Sequence, residues 1–111
     1  MAIRYKVLGQ KSPAANTDWN LYTVTGAKDA VISSIVVANR DANNSAKYRI
    51  SVRPDGATLT TDMYLAYDVQ IDPAASIALN LGLTMNTDDV LTVRADSANV
   101  TFSAFGTEID A

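Results

Sequence analysis

Apolar and polar residues alternate with a period of two along most of this sequence, and this alternation constrains the fold more than any other feature. The clearest stretch, Ala46–Arg53, places Tyr, Ile and Val on one face and Lys, Arg, Ser and Arg on the other. Because successive side chains of a β-strand point to opposite faces, this pattern predicts a half-buried strand. Residues 30–39 carry Val and Ile on both faces, which predicts a central strand covered on both sides.

Eight such segments follow one another, and turn-forming residues separate them. The predicted strands span residues 3–7, 19–24, 30–39, 46–53, 63–71, 76–81, 90–95 and 99–105. The turns are rich in Asp, Asn and Gly, and one contains Pro54-Asp55-Gly56, where proline presets φ and glycine accepts a positive φ. Evenly spaced short strands without a helical period are typical of sandwiches and small barrels. The sequence therefore predicts an all-β fold, a single eight-stranded antiparallel β-sandwich of the jelly-roll or Greek-key type.

The same alternation predicts which residues point into the core. Three aromatic side chains fall in apolar registers and are expected there: Tyr48, Tyr67 and Phe102. The fifth strand is expected to turn its odd-numbered residues from Leu65 to Ile71 towards one buried face. Residues 106–111 are polar and are expected to form a loose tail.

Length and composition predict one domain that covers residues 1–111, because a chain of this size supports a single small core. Two alternatives are open for the N-terminal segment, residues 1–18. It could act as an arm that adds a strand to the sheet of a neighbouring subunit. It could equally pair within its own sheet.

Neither histidine nor cysteine occurs in the sequence, and their absence excludes the commonest catalytic and metal-binding groups. There is no thiolate nucleophile, no Ser-His-Asp triad and no imidazole or thiolate zinc ligand. All but one of the acidic residues are Asp, and most lie in turns, where a short carboxylate caps backbone N–H groups. We therefore expect no enzyme, no catalytic residue, no cofactor and no metal site. Residues 41–44 and 86–89 keep open the alternative of a calcium ion bound in a loop.

The charge balance is acidic, with 9 Lys and Arg against 12 Asp and Glu. A nucleic-acid-binding domain usually has the opposite balance and clusters its basic residues, so we expect no nucleic-acid partner. The longest apolar stretch, residues 30–38, is too short to span a bilayer, so we expect no membrane partner. The first ten residues contain no long apolar run, so we expect no signal peptide there and synthesis in a cytoplasm.

Basic and aromatic residues near strand ends are the candidates for an interface, because arginine and aromatic side chains dominate interface energetics. Lys47, Arg49 and Arg53 share one face of the fourth strand, which is either a solvated face or a contact with an acidic neighbouring subunit. Trp19 lies beside a loop and Tyr64 lies off the apolar register, so both are expected at the surface. The candidate interface residues are Arg4, Tyr5, Lys11, Trp19, Lys47, Arg49, Arg53 and Tyr64.

Several segments spread over nearly the whole chain resemble one protein family. They are YKVLGQ (5–10) with PAA (13–15), LYTV (21–24) followed by AVISSIVVANR (30–40), YRISVRPDGA (48–57), YLAYD (64–68) and VTFSAFGTEI (100–109). In these segments the chain resembles small virion structural proteins of tailed bacteriophages, many of them cyanophages. It departs from that family at residues 25–27, where a turn containing proline is expected in place of Thr-Gly-Ala.

The resemblance implies a structural role in the virion and brings no catalytic residues with it. Small β-sandwich virion proteins often serve as capsid decoration or cement proteins, commonly as trimers over joints between major capsid subunits. The resemblance therefore implies a homo-oligomer, with a trimer favoured, that binds the major capsid protein or other virion subunits after assembly in the bacterial cytoplasm. The alternatives are a tail, baseplate or fibre component, and a carbohydrate-binding module for host attachment that uses Trp19, Tyr64 and Asp18.

Overall fold

β-strands account for most of residues 2–110, which are the residues that the computed structural model describes. The strands are β1 (Ile3–Lys11), β2 (Trp19–Thr23), β3 (Lys28–Asn39), β4 (Ala46–Arg53), β5 (Tyr64–Ile71), β6 (Ser76–Leu79), β7 (Leu83–Met85), β8 (Val90–Ala95) and β9 (Val100–Asp110). Two single 3-10 turns, Pro54–Gly56 and Thr61–Met63, lie between β4 and β5. Over the described range, no helix is long and apolar enough to cross a membrane.

The strands form two antiparallel sheets, one in the order β1-β9-β3-β6 and the other in the order β2-β8-β4-β5. β6 and β7 pair with successive parts of β3, so they act as one strand interrupted at Gly82, whose φ is +60°. The pairs are then nested along the chain, as β1 with β9, β2 with β8, β3 with β6 and β7, and β4 with β5. This nesting is the jelly-roll arrangement. The predicted β-sandwich is confirmed, with nine strands rather than eight because the predicted strand 76–81 ends at Leu79 and pairing resumes at Leu83.

The core lies between the two sheets and consists of the inward residues of β2, β3, β4, β7, β8 and β9, together with Ile71 of β5. β1 and β6 contribute only the partly buried Leu8, Ile77 and Leu79. Tyr48 and Phe102 are both buried, as predicted, and their rings meet edge to face with centroids 6.3 Å apart. The other large, fully buried side chains are Ile32, Ile35, Ile50, Ile71, Met85, Leu91, Val24, Val37, Val93 and Val100. Burial of each such side chain stabilises the fold by about 1.5–3 kcal/mol, so this layer holds the two sheets together.

The predicted inward face of the fifth strand is wrong for most of its length. Leu65, Tyr67 and Val69 are 49%, 55% and 40% exposed, and only Ile71 is buried. The register between β4 and β5 shifts beside Asp68, which has a φ of +52°. A bulge inserts one residue and exchanges the faces of the strand beyond it, so Ala66 rather than Tyr67 opposes the inward Ile50.

The first and last strands, β1 and β9, belong to the same sheet. Residues 106–110, predicted to form a loose tail, are the second half of β9 and lie between β1 and β3; Ala111 is outside the described residues. Residues 3–11 pair with β9 of their own chain, which is the second of the two alternatives for the N-terminal segment. Gly9 in this strand lies against the backbone of Leu21 and brings β1 next to β2.

Asn39, at the end of β3, connects two loops from a buried position. Its Nδ2 donates hydrogen bonds to the carbonyl oxygens of Asn44 at 2.9 Å, Asp72 at 3.3 Å and Ile71 at 3.4 Å. Its Oδ1 accepts one from the backbone N–H of Asp41 at 3.0 Å. This single amide therefore holds the β3–β4 loop against the end of β5.

Asn39→Ala is expected to lower the free energy of unfolding by about 1–3 kcal/mol, because buried carbonyl groups lose their donor. Urea denaturation followed by Trp19 fluorescence measures the difference. Asn43→Ala is the matched control from the same loop, since Asn43 is exposed and forms its hydrogen bond to Asp41 through the backbone. This substitution is expected to change the free energy of unfolding by no more than about 0.5 kcal/mol. Equal losses in the two variants would contradict the role assigned to the Asn39 amide.

Candidate interaction surfaces

The candidate interface residues fall into two groups. Lys47, Arg49, Arg53 and Tyr64 lie on β4 and β5 of one sheet. Arg4, Tyr5, Lys11 and Trp19 lie on β1 and at the start of β2. β5 is an outermost strand of its sheet, and β1 is an outermost strand of the other, on the flank where β1 meets β2. The two groups therefore centre on opposite flanks of the sandwich.

An uncovered apolar surface runs along β1. Ile3, Tyr5 and Val7 are 55%, 84% and 48% exposed and pair with Ile109, Thr107 and Phe105 of β9. The intervening residue Glu108 points inward, so its neighbours on β9 point outward. We call the apolar members of this surface the β1 patch: Ile3, Tyr5, Val7, Phe105 and Ile109. Apolar surface of this kind on a small domain usually marks a site of interaction.

Arg49 is the centre of a polar and aromatic cluster on the outer face of the other sheet. Its Nε and Nη2 donate to the two carboxylate oxygens of Asp68 at 2.7 and 3.3 Å, which holds the pKa of Asp68 below its usual value. Its guanidinium carbon lies 4.2 Å from the ring centroid of Tyr67, and the Tyr64 ring meets Tyr67 edge to face at 4.8 Å. We call Leu65 and Tyr67, the exposed apolar residues that precede the bulge on β5, the β5 patch. The exposed ion pair adds little stability but fixes the orientation of Tyr67.

A cavity of about 170 Å³ opens beside this cluster, between β4 and β8. It is lined by Asn16, Lys47, Arg49, Asp68, Arg94, Ala95 and Asp96. Arg49 and Arg94 are directly opposite on the two strands, an arrangement that is unfavourable unless acidic groups lie nearby. Asp68 pairs with Arg49, and Asp18 lies 3.5 Å from Arg94. Three basic side chains, Lys47, Arg49 and Arg94, therefore line the cavity together with the carboxylates of Asp68 and Asp96.

Arg53, the third basic residue of the predicted face, is used within the chain. Its Nε donates to Thr92 Oγ1 at 3.1 Å, its Nη2 to Asn20 Oδ1 at 2.9 Å, and its Nη1 to the carbonyl oxygen of Ala57 at 3.1 Å. These contacts connect β4 across β8 to β2. Arg53 therefore stabilises the sheet, whereas Lys47 and Arg49 line the cavity.

Trp19 is 41% exposed and lies at the edge where β1 and β2 close the sandwich. The Lys11 ammonium is 4.3 Å from the ring centroid, a cation–π contact. Trp19 lines an open depression with Asp18 and Asn20. Tyr64 lies on the opposite outermost strand of the same sheet, three strand spacings or roughly 14 Å away. Trp19 and Tyr64 therefore do not line one sugar site.

The carboxylates of the two loops accept hydrogen bonds from backbone N–H groups. Asp41 accepts hydrogen bonds from the N–H groups of Asn43 at 2.9 Å and Asn44 at 3.1 Å, and these bonds lower its pKa. Asp89 accepts them from Asp55 at 2.8 Å and Asn86 at 2.9 Å. Both loops considered for calcium thus show the predicted turn capping. Between residues 2 and 110, no group of three or more acidic side chains is placed to hold a metal ion.

Sequence reasoning missed three contributors to these surfaces. Tyr67 was assigned to the core, and Asp68 and Arg94 were not among the interface candidates. The available signal was weak: Asp tolerates a positive φ, so Asp68 within an apolar strand is compatible with a bulge. Arg94 follows from the alternation of β8, since it points away from the inward Val93 and Ala95.

Known proteins show only distant similarity to this chain. No protein-family model matches the sequence, and no curated protein matches it. Two similar solved structures are both described as a pentameric capsid protein isolated from metagenomic phage sequences. Each shares 20% sequence identity with this chain and has a TM-score of 0.42, over 97% of this chain. The chain spans 60% and 61% of the length of those two proteins, and similarity at this level assigns no function.

Proposed function

We propose that this protein is a non-catalytic structural component of a tailed-phage virion, and that it decorates the capsid as a homo-oligomer. The observation that carries the proposal is the pair of uncovered apolar patches on β1 and β5. A domain of 111 residues that acts alone has no need for two such surfaces. The sequence resemblance to small virion structural proteins supports the same role, and the jelly roll is a fold common among viral capsid proteins.

The physical action proposed is clamping of adjacent capsid subunits. A protein that binds only the assembled capsid stabilises that state by mass action, without any chemical step. The cavity lined by Lys47, Arg49 and Arg94 is the surface that we propose contacts an acidic region of the major capsid protein. Rim charges of this kind mainly accelerate and orient association, and apolar contacts supply the affinity.

The test of this role is binding of the purified protein to expanded capsids that lack it. We expect saturable binding at hundreds of copies for each capsid and a matching copy number in purified virions. Binding to tails alone, or a handful of copies in each virion, would instead favour the tail or baseplate alternative and contradict decoration.

Lys47→Glu is expected to weaken capsid binding at least tenfold at low ionic strength, because it reverses a charge at the rim of the cavity. Pelleting of capsids over a range of salt concentrations measures the effect, which should shrink as salt increases. Thr58→Asp adds negative charge at an exposed position beyond the opposite end of β4 and is expected to leave binding unchanged. A similar loss in both variants would contradict a specific role for the cavity.

A second candidate function, a glycan-binding module, is favoured by the depression beside Trp19, because lectins also use the jelly roll. The Trp19 side chain is 41% exposed beside Lys11, so part of the ring is accessible to a sugar. Binding on a glycan array that disappears in Trp19→Ala would support this candidate. An array without binding, from protein that is fully folded, would exclude it.

A further inference from the structure

We propose that the β1 patch of one copy packs against the β5 patch of the next, so that copies join head to tail into a closed ring. This inference rests on the homo-oligomer of the proposed function and identifies its two contact surfaces. A contact between two different patches is heterologous, and repetition of such a contact closes into a ring when the rotation between copies allows it.

The placement of the two patches supports this arrangement. β1 is an outermost strand of one sheet and β5 is an outermost strand of the other. β1 lies beside β2, as the close approach of Gly9 to Leu21 shows, so β5 belongs to the opposite flank. β1 exposes Ile3, Tyr5 and Val7, and β5 exposes Leu65 and Tyr67 on its outer face. A copy that offers one patch on each flank can contact two neighbours at the same time.

The charges of the two strands are complementary. Residues 3–11 carry Arg4, Lys6 and Lys11 and no acidic residue. Residues 62–72, which contain β5, carry Asp62, Asp68 and Asp72 and no basic residue. Pairs within the chain neutralise Arg4, Lys6 and Asp68, which leaves Lys11 on β1 and Asp62 and Asp72 at the two ends of β5. Contact of β1 against β5 therefore joins opposite charges, whereas contact between two copies of the same strand joins like charges. The charge pattern therefore selects a second copy of this chain, in the heterologous arrangement, as the occupant.

Most of these charges already form ion pairs within the chain, so they gain little from contact with a second copy. Burial of the apolar side chains therefore supplies most of the affinity between copies. Arg4 pairs with Asp110, Lys6 with Glu108, and Asp68 with Arg49. The complementary charges then orient the encounter, and burial of the tyrosines and their aliphatic neighbours holds the copies together.

The bulge at Asp68 favours contact through side chains rather than through the strand edge. A bulged edge strand does not readily accept a new strand by backbone hydrogen bonding, and this protects against open-ended sheet growth. Leu65 and Tyr67 instead stand on the outer face of their sheet, where a neighbouring β1 patch can lie over them. Neighbouring copies would overlap at their flanks in a ring of limited size.

The test uses light-scattering mass of the full chain and two variants, Tyr5→Asp and Tyr67→Asp. We expect the wild type to exceed the 11.8 kDa monomer and each variant to be monomeric, with self-association weakened at least a hundredfold. An equimolar mixture of the two variants should form a 1:1 dimer that grows no further, since one intact β1 patch meets one intact β5 patch. This complementation is the signature of a heterologous contact.

Leu81→Asp is the matched control, because Leu81 is a large exposed apolar residue, 39% exposed, outside both patches. It should leave the mass unchanged. Circular dichroism must show that all variants are folded, and Leu65→Asp replaces Tyr67→Asp if the latter is not.

A monomeric wild type, or variants that do not complement each other, would overturn the ring. A monomer that still saturates capsids would overturn the ring and the homo-oligomer but not capsid decoration, whereas an intact ring that binds no part of the virion would overturn decoration but not the ring.

Discussion

Gly106→Ala is expected to lower the free energy of unfolding by at least about 3 kcal/mol, which is at the upper end of the cost of overpacking. A Cβ atom on Gly106 would overlap the carbonyl oxygen of Val31 and lie 3.0 Å from the Cα of Ile32. Both neighbours are backbone atoms of β3, the central strand of its sheet. They cannot withdraw without loss of the hydrogen bonds between β3 and β9, so the cost is not relieved by a change of rotamer.

Gly82→Ala is the matched control for this prediction. Gly82 has a positive φ of 60°, but a Cβ atom there would meet no atom within 4 Å. Its replacement should cost only the left-handed backbone penalty, about 1–2 kcal/mol. Urea denaturation with circular dichroism and fluorescence detection compares the two variants. A loss for Gly106→Ala no larger than that for Gly82→Ala would show that β3 and β9 separate more easily than the structure implies.

Gly106 also marks the point where the predicted end of the last strand is wrong, because β9 continues through it to Asp110. β4 was predicted over its full length, because apolar inward residues alternate regularly with polar outward residues along it. The last strand was predicted to end at Phe105, because residues 106–111 are polar. The strand continues because β3 and β1 lie on either side of it, and the glycine allows the close approach to β3. Such contacts between distant segments leave no local pattern.

The candidate surface residues were predictable on β4 but not on β5. Alternation correctly placed Lys47, Arg49 and Arg53 on one face, since β4 has no bulge between them on its β8 side. It failed for Tyr67, because the same reasoning carried the inward register through Asp68, where the chain adds a residue. A one-residue shift exchanges every side chain between faces, so one unrecognised bulge changes a predicted core into a surface.

Glu108→Ala is expected to lower the free energy of unfolding by about 2–3 kcal/mol, because it removes the acceptor of a buried network. The buried carboxylate accepts a 2.6 Å hydrogen bond from the Tyr22 hydroxyl and lies 3.3 Å from the Lys6 ammonium and 3.9 Å from that of Lys28. It thereby joins β9 to β1, β2 and β3. Lys6→Ala is the control, since half-exposed Lys6 can be solvated and its loss should cost less than about 1 kcal/mol. Thermal denaturation of both variants against the wild type measures the effect, and equal losses would contradict a buried role for the carboxylate.

The contribution of Glu108 is also expected to depend on pH. The Tyr22 hydrogen bond, and after it the charges of Lys6 and Lys28, hold the pKa of Glu108 below its ordinary value of 4.5. A carboxylate with a lowered pKa in the folded state stabilises the protein above the unfolded pKa, and this contribution is lost as the pH falls through the folded value. Glu108→Gln keeps an acceptor for Tyr22 but does not titrate, so the stability difference between wild type and variant isolates the charge. That difference should stay constant from pH 7 down to about 5 and shrink steadily below it. A difference that does not change down to pH 2 would show that hydrogen bonding without charge accounts for the whole role of Glu108.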